Sequence, residues 1–124
     1  VRAWEDRHYA AVRRVHPMGL TEAEEDDIVL YYSMASGFWI TKMPYMGDLD
    51  FYYVDDWSPA KRRRLMRFYK ECVRRQVYLN GGDKIHLSKN PVFAGRVAAL
   101  IEAFPDARIV TTMRNPYETI PSLL

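Results

Sequence analysis

The chain is predicted to fold as an α/β unit in which a helical segment precedes a βαβ unit. Two short apolar runs, "DKIHLSK" at 83–89 and "ARIVTTM" at 107–113, read as strands. Between them "PVFAGRVAALIEAF" repeats its apolar residues at helical spacing. Strand, helix and strand in this order make a βαβ unit, whose two strands run parallel. "IVTTM" does not alternate, as expected of a strand covered on both faces.

The composition is that of an ordinary globular domain. Of 124 residues, 48% are hydrophobic and 27% charged, which is enough apolar material for a core. A net charge of +2 gives no global field to attract nucleic acid. No run approaches the roughly 20 apolar residues that cross a bilayer. Cys72 is the sole cysteine, so no internal disulfide forms and no thiol cluster is on hand for a metal. Its expected role is to pack as a small hydrophobe. The chain reads as part of one domain. Residues 1–82 form a mainly helical segment with an aromatic loop, and 83–124 form the βαβ unit and a closing helix. It opens without Met, and its last helix has only begun at Leu124, so a longer protein is expected around it. A cytoplasmic location is favoured, with the true N-terminus outside this stretch.

Taken in order, residues 1–15 read as a helix that "HPMG" breaks at 16–19. Thr21 stands three before Glu24, a capping-box spacing, and predicts a helix over 21–35. Glu22, Glu24, Glu25, Asp26 and Asp27 crowd its first turns, where carboxylates favour the helix dipole. A base or substrate role for one of these acids is the sharper alternative. Residues 36–57 carry Phe38, Trp39, Tyr45, Phe51, Tyr52, Tyr53 and Trp57 without a clear period. They read as a packed irregular connection, or else as the wall of an acceptor pocket. Ser58-Pro59 starts a long helix that Asn80-Gly81-Gly82 ends. Its apolar face holds Leu65, Met66, Tyr69, Cys72, Val73, Gln76 and Val77, and most of its eight cations fall on the other, solvated face. In the helix after Lys89, Val97, Leu100, Ile101 and Phe104 are expected inward. Asn115-Pro116, with Glu118 three after the cap, opens the last helix.

The chemistry gathers at the strand ends. Ligands of open α/β sheets sit outside the carboxyl ends of the strands. Lys89 follows the first strand and Arg114 the second, and each precedes a helix start whose free N–H groups favour an anion. Together they make a plausible site for a phosphorylated ligand. Ser122 lies about two turns beyond Arg114 and adds a donor if the phosphate lies along that helix. A surface ion pair for Arg114 and a solvent-facing hydroxyl for Ser122 are the plainer readings.

At this point the residues resemble a family. Lys89-Asn90-Pro91, then Phe104-Pro105-Asp106-Ala107-Arg108, then Arg114-Asn115-Pro116 with Ser122 are similar to the nucleotide-binding region of sulfotransferases that use 3′-phosphoadenosine 5′-phosphosulfate. The likeness is firm over 85–124 and looser at "HPMGLTEAEEDD". It implies a P-loop-like parallel sheet with flanking helices, of which this chain carries part. It also implies that Arg114 and Ser122 hold the donor's 3′-phosphate, a task that suits a guanidinium. The family's other phosphate loop, lysine/arginine-serine-glycine-threonine, is not found between Val1 and Leu124, and the resemblance puts it upstream.

By the same resemblance the reaction is sulfuryl transfer to a hydroxyl or amine of a small-molecule or glycan acceptor, without a metal. Such transfer needs a base for the acceptor proton and cations on the leaving oxygens. Lys89 is the local candidate for the catalytic cation. The family's histidine positions are occupied by Phe93 and Pro91, and His86 reads as structural, so the base is expected outside this stretch. Two rival readings remain: a P-loop nucleotide or small-molecule kinase, and a non-enzymatic polyanion-binding module built on the helix around Arg62–Arg75.

Overall fold

A computed structural model describes residues 2–10, 12–14, 25–43 and 50–123, with residues 2, 12, 40, 41, 122 and 123 described by backbone alone. Its helices are α1 (Arg2–Tyr9), α2 (Asp27–Tyr32), α3 (Pro59–Leu79), α4 (Val97–Ala103) and α5 (Pro116–Leu123). Short 3-10 segments lie at Val12–Arg14, Gly37–Thr41, Val54–Asp56 and Pro91–Arg96, the last running directly into α4. The expected break at 16–19 and the cap at Thr21 fall outside the described residues.

Helix α3 follows the expected signals closely. Pro59 stands at its first position, and the Arg62 N–H bonds back to the Ser58 carbonyl at 3.0 Å. Leu65, Met66, Tyr69 and Val73 are buried, while Cys72 and Val77 are half-buried and Gln76 is exposed. Each fully buried aliphatic side chain of this kind contributes about 1.5–3 kcal/mol. The helix ends on Gly81 (φ 109°) and Gly82 (φ 81°), whose N–H groups reach the Tyr78 and Val77 carbonyls.

Helix α2 is shorter than the predicted 21–35. The same closing motif stops it, with Met34 where α3 uses glycine. Met34 has φ 57°, its N–H bonds to Tyr31 O, and Ala35 N–H bonds to Leu30 O at 2.8 Å. The left-handed backbone costs a methionine roughly 1–2 kcal/mol, and no glycine marks the stop in the sequence.

The two predicted strands are not formed: among the described residues there is no β-strand, which corrects the βαβ reading. A strand exists only through a hydrogen-bonded neighbour, and neither segment has one here. Ile85, Leu87, Val110 and Met113 are 94%, 93%, 85% and 93% exposed, so their apolar side chains find no layer to pack on. The helix between them also differs from expectation. Ile101 points outward at 53% exposure, while Ala99 and Arg96 turn inward.

The core lies between α2, α3 and α4. Leu30, Ala35, Val54, Leu65, Met66, Tyr69, Val73 and Ala99 form it, with Trp57, Phe93, Leu100 and Phe104 packed around it. Asp55 ties α4 to this core from a distance. Its two carboxylate oxygens accept from Ala98 N (2.9 Å) and Ala99 N (2.8 Å), meeting first-turn donors that a local cap leaves free. Gly95 is required where α4 begins, because a Cβ there would stand 2.3 Å from the Tyr52 carbonyl oxygen. Among the described residues no helix is long and apolar enough to cross a membrane.

Candidate functional site

Three consecutive acids lead into α2, the first before it, the second at its cap and the third as its first residue. Glu25, Asp26 and Asp27 reach three different parts of the molecule. Asp26 occupies the cap position yet makes no side-chain cap bond, so its carboxylate is left for tertiary contacts.

Glu25 pairs with Lys89, whose side chain remains 76% exposed. Solvent screens such a pair, and its contribution to stability is below about 1 kcal/mol. Asp26 accepts three bonds: from the Tyr69 hydroxyl on α3, from Ser88 Oγ at 2.6 Å and from His86 Nε2 at 3.3 Å. Burial, and then the Asp26 carboxylate, push the Tyr69 hydroxyl well above the usual phenol range, so it stays a donor.

Asp27 turns into the core. Ser36 donates its hydroxyl to Asp27 and accepts from Phe38 N at 3.0 Å. The fully buried Arg96 lies on the other side, 3.9 Å from Asp27 Oδ1. Its hydrogen bonds go to the carbonyls of Phe51 (3.0 Å) and Ala35 (3.4 Å), and its guanidinium stands 5.4 Å from the Phe93 ring. Burial raises the Asp27 carboxyl above its ordinary value, opposed by the Ser36 bond and Arg96. The same burial lowers Arg96, opposed by Asp27. The dipole account of these acids is thus incomplete, since each of the three is an anchor.

Arg114 stands elsewhere, immediately before α5. Asn115 caps that helix, its Oδ1 accepting from Tyr117 N at 3.0 Å. The Arg114 guanidinium lies along α5 and pairs with Glu118 at 3.4 Å, both side chains 62% exposed. Ser122 follows Glu118 by four positions, near the end of α5. The Ser122 side chain is outside the described residues. Lys89 and Arg114 are thus held by different acids on different elements. On α3, Arg62 pairs with Glu102 at 3.1 Å and Lys70 donates to Ala103 O at 2.7 Å, which fastens α4.

Sequence reasoning missed Arg96 as a buried residue and Asp26 as a meeting point. The only local signal was the acid run itself, because the partners lie 43 to 62 residues away. Among the described residues no group of three or more His, Cys, Asp or Glu is placed to hold a metal ion. The model of the sulfotransferase family matches residues 1–124. No curated protein and no solved structure matches the chain.

Proposed function

Since the chain belongs to the sulfotransferase family, we propose that it holds the 3′-phosphate of 3′-phosphoadenosine 5′-phosphosulfate through Arg114 and Ser122. The enzyme then transfers the sulfuryl group to a hydroxyl or amine of a small-molecule or glycan acceptor. One observation carries the reading: the exposed Arg114 guanidinium is laid along the first turn of α5, held there by Glu118 alone among the described residues. A phosphate arriving there meets the guanidinium in place of Glu118. Lys89, beyond the Glu25 pair, supplies a cation for the leaving oxygens. In this reading 83–89 and 107–113 become neighbouring strands of a P-loop-like parallel sheet once further chain pairs with them, which would cover Ile85, Leu87, Val110 and Met113.

The test compares two ligands on the intact protein. Arg114→Ala weakens adenosine 3′,5′-bisphosphate by about 1.5–3 kcal/mol, the range for a charged hydrogen bond. Adenosine 5′-phosphate changes much less. Equal losses for both ligands refute the assignment.

A further inference from the structure

We infer that His86, oriented by Asp26, is the general base that removes the acceptor's proton, an assignment that rests on the sulfuryl-transfer reading. Asp26 receives the His86 Nε2 contact at 3.3 Å. That bond fixes the tautomer: Nε2 carries the hydrogen, and Nδ1 is left as the unprotonated nitrogen. The His86 side chain is 28% exposed, so the ring is neither sealed in the core nor free in solvent. Asp26 is itself held by Tyr69 and Ser88, each donating a hydroxyl, which keeps the carboxylate directed at the imidazole. An imidazole backed by a held carboxylate and open on its other nitrogen is the arrangement a base requires.

The charged groups around the ring set its chemistry. Glu25 and Asp26 come from the start of α2, Tyr69 from α3, and Lys89 from the segment of His86 itself. Adjacent acids thus seat the imidazole and the ammonium, placing a base and a leaving-group cation at one end of α2. In the step, the acceptor O–H gives its proton to His86 Nδ1 as its oxygen bonds to sulfur. The bond from sulfur to the donor's bridging oxygen breaks, and that oxygen leaves with the electron pair on the bisphosphate. The imidazolium formed is stabilised by Asp26.

The test uses the intact protein with donor and three probes: p-nitrophenol, tyramine and glucosamine. His86→Ala lowers kcat about 10²–10⁴-fold. The affinity for adenosine 3′,5′-bisphosphate stays within about two-fold, and added imidazole restores part of the rate. Asp26→Asn lowers kcat with KM and bisphosphate affinity little changed, because the imidazole loses the carboxylate that orients it and stabilises the imidazolium. A His86→Ala rate near wild type, or a loss that imidazole does not restore and that tracks weaker donor binding, overturns the assignment. If His86→Ala fails to fold, Asp26→Asn decides, and an unchanged kcat overturns it. Wild-type protein that sulfates none of the probes refutes the function itself, whereas transfer that ignores His86 refutes only the base.

Discussion

The start of α2 and the start of α5 each hold a cation with an acid, but over very different stretches of chain. Glu25 reaches Lys89 across 64 residues, and its neighbours Asp26 and Asp27 reach α3, the 86–88 segment and Arg96. Among the described residues Glu118 reaches only Arg114, four positions back and just before its own helix. The first end is therefore fixed by the folded core, whereas the second is arranged locally. A rigid, tertiary end suits groups that must be aimed, such as a base and its orienting acid. A local, exposed pair is easily exchanged for a ligand's phosphate.

Breaking the buried side of the first end has the largest expected effect. Arg96→Ala removes the buried cation beside Asp27, and costs about 3–5 kcal/mol of unfolding free energy in urea titration. A loss below about 1 kcal/mol would show that the α2 end is not held from inside. Gly95→Ala comes next. Its Cβ would strike the Tyr52 carbonyl, so thermal denaturation reads a loss of about 1–3 kcal/mol.

Much of this was legible beforehand, and the reasons differ by element. Helix α3 announced itself because its proline, its apolar face and its glycine stop are all local, although the Ser58 side chain makes no cap bond. The start of α5 was legible for the same reason. The strands were not, because "KIHL" and "RIVTTM" carry the right residues while pairing depends on neighbours that no local pattern reports. Arg96 was hidden by its type, since an arginine in an apolar helix is assigned to solvent until a buried carboxylate is known to wait for it. Lys89 and Arg114 were singled out from position alone, and their partners Glu25 and Glu118 emerged only with the structure.

Smaller effects sharpen the contrast. Met34→Gly relieves the left-handed backbone that ends α2 and stabilises the protein by up to about 1 kcal/mol, read as a higher midpoint in urea. Arg67→Gln with Arg74→Gln shifts stability by less than about 1 kcal/mol and leaves bisphosphate affinity unchanged in calorimetry. Loss of affinity in that pair would mean that α3 presents a working anion surface rather than a solvated one.

The most direct measurement is a crystal structure of the intact protein with adenosine 3′,5′-bisphosphate bound. The account predicts that the Arg114 guanidinium leaves Glu118 and takes the 3′-phosphate, with the Ser122 hydroxyl on the same group. A nucleotide seated with its 3′-phosphate on other side chains, and Arg114 still paired to Glu118, would contradict it.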